Sequence, residues 1–114
     1  MRMWMISPKF LCRQHLLGEH GEIHKHRHNF VKQHSIAKRI KLGQIEPASM
    51  QSRHDILVVE MLKRGYNHHS PYEQPDISYL SKEEQSFVVN IDKSLQDLIK
   101  RCPKCAELIK RSLK

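Results

Sequence analysis

Glu22 stands in a stretch where Gln14, His15, Gly18, Glu22, Lys25 and Asn29 recur at spacings of three and four, with Leu11 at the head of the series. On a helix that periodicity makes one stripe. A carboxylate beside an imidazole, an amide and a cation is a set that can hold and move a proton. Cys12, Leu16, Ile23 and Phe30 form a second, apolar stripe, with Leu17 and Val31 on its shoulder. At about 100° per residue, Glu22 falls about a quarter turn from that apolar stripe, where it could face a cleft instead of bulk water. Gly18, one turn away, removes a side chain beside it. The same pattern also suits a plain solvated helix carboxylate, and spacing alone does not choose between the two.

Two other groups carry metal-ligating atoms. His20, His24 and His28 share a helix face, with His26 beside them, but Lys25 and Arg27 would repel a cation and no nearby acid or thiol completes a set. Cys102-Pro103-Lys104-Cys105 has the two-residue spacing of half a zinc site. Its second half is missing unless His68 and His69 supply it. The cysteines are therefore expected as free or packed thiols, and no metal is expected. Trp4, the single tryptophan in a chain with 6% aromatic residues, is expected as a core anchor ahead of a base-stacking role.

The elements that must position these residues belong to one domain of 114 residues, whose 39% hydrophobic content supports a modest, mainly aliphatic core. The formal charge is +8 and the pI about 9.6, a balance that usually meets a polyanion. Nucleic acid leads, and an anionic membrane surface is second. No run approaches the ~18 apolar residues of a membrane span, and Ser7-Pro8 ends the opening apolar run short of a signal peptide. Three cysteines without such a signal point to a reducing compartment, hence the cytoplasm, or the nucleoid if DNA is the partner.

Three helices are expected. The first starts at Ser7-Pro8, a capping serine followed by a proline suited to the first turn, and runs to about His34. Gly18 and Gly21 inside it suggest close approach of another backbone. Residues 35–47 read as a basic connection. The second helix follows Ser49 with Met50, Leu57 and Met61 inward and Val58 and Leu62 beside them; it ends at Lys63-Arg64-Gly65, cations in the last turn and glycine beyond. A polar stretch from Asn67 to Leu80 leads to Ser81 and Glu84, spaced as a capping box. The third helix follows with Phe87, Val88, Ile91, Leu95, Leu98 and Ile99 on one face. Pro103 interrupts it, and a short extra helix or turn carries Leu108, Ile109 and Leu113. The expected fold is all-α: a compact three-helix single domain with a short C-terminal extra element.

The opening Met-Arg-Met-Trp-Met-Ile-Ser-Pro-Lys-Phe-Leu-Cys-Arg-Gln-His-Leu-Leu-Gly-Glu-His-Gly-Glu, with the later Glu60-Met61-Leu62-Lys63-Arg64-Gly65-Tyr66-Asn67, resembles the pyrimidine dimer DNA glycosylase (endonuclease V) family of phage and bacterial members. The resemblance covers residues 1 to about 70, while the helical part 81–114 diverges. It implies that the α-amine of the mature N-terminal residue attacks C1′ of the damaged nucleotide and that a helix-one glutamate assists. The matching groups here are the amine of Met1 and the carboxylate of Glu22. Arg2 matches an arginine beside the family's nucleophile, and Gln14 and His15 match its Gln-His pair. Lys25 keeps the charge of a family arginine, whereas Gly21 replaces another. The bulk of Arg2 would block removal of Met1, which agrees with this register.

The chemistry implied needs no metal or nucleotide cofactor. An α-amine with a pKa of about 7.7–8.0 is partly neutral at physiological pH, and Arg2 would lower it further. An imine to the opened sugar would then allow β-elimination, with Glu22 stabilising the cationic intermediate. Expected DNA contacts are Arg2, Arg13, Gln14, His15, Lys25, Arg53, Lys63 and Arg64, on a monomer that takes damaged duplex DNA and no membrane. The C-terminal Cys-Ala-Glu-Leu-Ile-Lys-Arg-Ser-Leu-Lys lacks the aromatic ending of the family's phage member, so the resemblance implies abasic-site cleavage more firmly than a preference for the pyrimidine dimer. Two other classes fit the composition: a non-catalytic basic DNA-binding module of the same fold, and a histidine-rich metal-binding protein.

Overall fold

The structure, a computed structural model, describes residues 3–66 and 72–112. Met1, Arg2, Asn67, His68, His69 and Leu113 lie outside the described residues. The described chain is all-helical and without strands: a 3-10 turn at Pro8–Phe10, then α1 (Arg13–Val31), α2 (Ala37–Lys41), a 3-10 turn at Pro47–Ser49, α3 (Met50–Lys63), α4 (Lys82–Gln85), α5 (Ile91–Arg101) and α6 (Pro103–Ser112). α1 packs on α3, α5 pairs with α6, and the Pro8–Phe10 turn lies against both α3 and α6.

The first helix starts later than Ser7. Pro8 opens a single tight turn, closed by the Phe10 amide on the Ser7 carbonyl at 3.0 Å, and Leu11 and Cys12 are then extended. Leu11 is completely buried. Gaining an apolar contact outweighs continuing the helix, so Leu11 enters the core and does not head the polar stripe. The remaining inward residues match their spacing: Leu16, Ile23 and Phe30 are buried, with Cys12 at the helix start, while Val31 is exposed. A Cβ on Gly21 would meet open space, so no backbone approaches there.

Residues 35–47 are not wholly irregular, since Ala37–Lys41 makes one short helix that buries Ile36 at its start. Beyond it, the amide of the buried Met3 donates to the Gln44 carbonyl at 2.8 Å and pins the N-terminal segment to the exit of α2. α3 buries Met50, Leu57 and Met61 as expected, leaves Val58 half-buried and exposes Leu62. It ends where lysine, arginine and glycine predict. Gly65 takes φ +83°, and the Tyr66 amide returns to the Met61 carbonyl at 2.9 Å.

The largest departure is at the third expected helix. The Ser81–Glu84 capping box forms, yet it starts only the four residues of α4. The chain then breaks so that Val89 can be buried, its amide donating to Glu46 Oε1 at 2.9 Å. Asn90 accepts the Lys93 amide at 3.0 Å and caps a new helix, α5. Val88 and Ile91 become exposed as a result, while Leu98 stays fully buried. Pro103 then begins α6, where a missing amide hydrogen costs nothing, and Cys105 and Ile109 turn inwards.

A buried ion pair joins the two longest helices. Arg53 of α3 and Glu19 of α1 are 4% and 1% exposed, and the guanidinium fork spans both carboxylate oxygens, with Arg53 Nη2 at 2.9 Å from Oε1. Arg53 Nη1 also donates to the Ile6 carbonyl at 2.7 Å. The expectation that Arg53 contacts DNA phosphate is thereby corrected: its donors are committed to the interior. Removing one partner strands a buried charge, so Arg53→Ala should destabilise by about 3–5 kcal/mol, and Arg53→Met with Glu19→Met should recover most of that loss. Urea unfolding checks this; a cost for Arg53→Ala below about 1 kcal/mol would show that the pair does not hold α1 to α3.

Candidate active site and DNA-facing surface

Glu22 sits midway along α1 with only 11% of its side chain exposed, shielded to the degree that a place a quarter turn from the apolar stripe implies. One turn on, His26 is buried, with Nε2 3.6 Å from Glu22 Oε2. Distance alone would suggest an ion pair. Burial first and the Arg39 charge second push the His26 imidazole down to about 4; Glu22 acts in the opposite direction and is outweighed. His26 is therefore neutral at physiological pH, so its contact with Glu22 is not an ion pair. From the sequence His26 stands out only within a row of metal-ligating histidines, and Arg39 not at all. Adjacent histidines at positions 24, 26 and 28 look alike until packing makes one of them the buried neighbour of the carboxylate.

A group that stays neutral when folded but takes a proton near pH 6.5 when unfolded lowers stability as pH falls. The loss runs from about pH 6.5 down to about 4 and amounts to roughly 3 kcal/mol for His26. Above pH 6.5 the contribution is complete. His26→Gln should flatten this part of the stability profile, measured by denaturant unfolding between pH 4 and pH 7. An unchanged slope in that variant would assign the acid sensitivity to other groups.

Three other histidines meet at the α1–α3 contact. His20 and His24 of α1 meet His54 of α3, with ring centroids 4.7–4.9 Å apart, and Tyr72 stacks on His54 at 4.9 Å. His28, expected beside His20 and His24, is exposed instead and lines a groove of about 470 Å³ with His24, Arg27, Val31 and Glu73. Tyr72 also donates to the Ile23 carbonyl at 3.3 Å.

The expected DNA-contacting residues separate into two sets. Arg13, Gln14, Lys25 and Lys63 are exposed. Gly21 is exposed beside them, with open space where a side chain would stand. Arg64 is half-buried and committed, donating from Nε to Glu60 Oε2 at 2.9 Å and from Nη2 to the Leu11 carbonyl at 2.7 Å. Its structural duty at the helix end is the reason. His15 is half-buried, its ring edge-on to Trp4 at a centroid distance of 5.8 Å and its Nδ1 3.2 Å from Cys12 Sγ. Burial and the Arg101 charge lower its pKa. Trp4 is a core residue as expected, at 2% exposure. No helix among the described residues is long and apolar enough to cross a membrane.

Glu22, His26 and Lys25, with Met3 and the α2 exit, all lie in the first two-thirds of the chain, and it is this part that a known family describes. The family model for pyrimidine dimer DNA glycosylases matches residues 1–74. No curated protein and no solved structure matches the chain. The match spans the N-terminal segment, α1, α2, α3 and the start of the following stretch. The chain therefore belongs to the pyrimidine dimer DNA glycosylase family.

Proposed function

We propose that this protein removes damaged pyrimidines from duplex DNA and cuts the resulting abasic site through an imine to its own N-terminal amine. The observation that carries this reading is Glu22, a carboxylate 11% exposed, set beside a neutral buried histidine within the stretch that the family model covers. Met3, buried and bonded to Gln44, adds support. Two residues of extended chain span at most about 7 Å, so an amine at Met1 has a bounded reach from a fixed point.

In this mechanism the lone pair of the Met1 amine forms a bond to C1′. The bond from C1′ to the base nitrogen breaks, and its electron pair leaves with the base. The attached amine loses one of its two protons, and its lone pair then opens the C1′–O4′ bond, O4′ taking up a proton, to give a protonated imine. That cation acidifies the C2′ proton, whose removal expels the 3′ phosphate. Glu22 stabilises the cationic sugar and moves the proton between these atoms. Arg13, Lys25 and Lys63 contact phosphates along the exposed side, and Arg2 completes the set near the nucleophile.

Matched duplexes carrying a cyclobutane dimer, an abasic site or no lesion, each with and without sodium borohydride, test the reading. Borohydride should cross-link protein to the first two and not to the third, and abasic cleavage should be the faster reaction. Tight binding to the lesions without any cross-link would instead favour a non-catalytic module of the same fold. Binding to undamaged duplex should weaken at least tenfold between low and moderate salt, because phosphate contacts release counterions. A titration that stayed flat would remove the basic face from the DNA interface.

A further inference from the structure

Outside the proposed active site, three cysteines and one histidine converge from the two ends of the chain. Cys12 caps the N-terminus of α1 and His15 lies in its first turn; Cys102 ends α5 and Cys105 lies in the first turn of α6. Cys12 Sγ is 3.8 Å from Cys102 Sγ and 3.2 Å from His15 Nδ1, and Cys105 Sγ is 3.6 Å from the same nitrogen. All four ligating atoms lie within 4.8 Å of one another. We propose that Cys12, His15, Cys102 and Cys105 form a structural zinc site that fastens the C-terminal helix pair to the family domain.

The geometry fits the ion. With Zn–S about 2.3 Å and Zn–N about 2.0–2.1 Å, a tetrahedral centre separates two sulfurs by about 3.8 Å and a sulfur from a nitrogen by about 3.6 Å. A disulfide would need the sulfurs at about 2.05 Å. Two backbone amides already point at sulfur: Cys12 N–H at Cys105 Sγ, 3.1 Å away, and Cys105 N–H at Cys102 Sγ, 3.5 Å away. Such donors stabilise thiolate ligands, as outer-shell hydrogen bonds do in metal sites generally. Three thiolates on Zn²⁺ leave one net negative charge, and Arg101, close enough to influence His15, offsets it.

Simple packing explains less. Small apolar side chains would fill the same space, whereas here a ring nitrogen is aimed at two sulfurs within a region where Cys105 is completely buried. The arrangement also has a structural purpose. Cys12 and His15 lie inside the stretch covered by the family model, and Cys102 and Cys105 lie beyond its end at residue 74. A metal there cross-links segments about 90 residues apart. From the sequence, free or packed thiols are expected, with His68 and His69, which lie outside the described residues, as the alternative second half; the proposed set draws instead on Cys12 and His15, which no local spacing reveals.

Untagged protein, purified under reducing conditions, should contain one zinc per chain by elemental analysis. Replacing it with cobalt should give tetrahedral d–d bands together with sulfur-to-cobalt charge transfer in the near ultraviolet. His15→Cys should keep the metal and shift those bands, while Cys105→Ser should weaken binding about 100-fold or more. The wild-type cobalt spectrum decides the matter even if a cysteine variant fails to fold. Reduced protein that retains no zinc or cobalt would overturn the site. Cobalt bound without thiolate charge transfer would also overturn it, and would direct attention to His20, His24 and His54. None of these readouts depends on DNA cleavage, so the zinc site stands or falls separately from the proposed activity.

Discussion

An uncleaved extension of a few residues at the N-terminus should abolish abasic-site cleavage and borohydride trapping while leaving the fold and duplex binding intact. What the proposed chemistry requires is a primary amine of moderate pKa at a fixed distance from Glu22. An extension converts the Met1 amine to an amide and moves the new amine away from the anchored Met3. A lysine is a poor substitute. At pH 7 the neutral fraction of a group with pKa about 10.4 is roughly 300-fold smaller than that of one near 7.8. Cleavage should therefore fall at least about 100-fold, even if Lys25 could reach the sugar. Helices and basic surface are untouched, so melting temperature and affinity for undamaged duplex should not change. Proteolytic removal of the tag that restores Met1 should restore both activities. Native-rate cleavage by a verified, uncleaved extension would rule out the N-terminal amine and make an internal lysine the nucleophile to seek.

Glu22→Gln should lower turnover on abasic and dimer-containing DNA by about 10²–10⁴-fold, the range of a lost general acid–base group. Glutamine keeps the size and hydrogen-bonding capacity of the side chain, but it carries no charge and shuttles no proton. His26, 3.6 Å from the carboxylate, is held neutral, so removing the Glu22 charge strands no buried imidazolium. Stability should change by less than about 1 kcal/mol, because the buried pairing that joins α1 to α3 belongs to Glu19 and not to Glu22. DNA affinity should be unchanged or slightly higher, since a negative charge has been removed. Single-turnover kinetics beside an equilibrium binding titration separates these effects. Turnover within a few-fold of wild type would deny Glu22 its role, and a large loss of stability would mark it as structural.

Several features could be read directly from residue types and periodicity. The inward faces of α1 and α3, the glycine stop at Gly65, the capping box at Ser81 and Glu84, the helix start at Pro103 and the partial shielding of Glu22 beside the apolar stripe all follow from rules acting within about one helical turn. The family resemblance was legible because its motifs are contiguous, in the N-terminal segment with α1 and at the end of α3.

Tertiary structure decided the rest, wherever two local choices were nearly equal and a distant partner settled them. Leu11 and Val89 left their helical patterns because burial repaid more than another helical turn, and Glu46 from a separate segment supplied the partner for the Val89 amide. Arg53 is a plausible phosphate contact by charge, but Glu19 across the helix interface turned it inwards, since a buried carboxylate demands a buried cation. One histidine in a row of similar ones became the neutral neighbour of Glu22 because packing buried it and, second, because α2 brought the Arg39 charge close to it. Cys12 and His15 met Cys102 and Cys105 only because α6 packs on the first turn of the chain. Sequence by itself determined the all-helical class, the two longest helices, the basic character and the family to which the first two-thirds belong. Folding decided which charged and thiol groups face each other, because that depends on contacts between residues far apart in the chain, to which no local periodicity is sensitive.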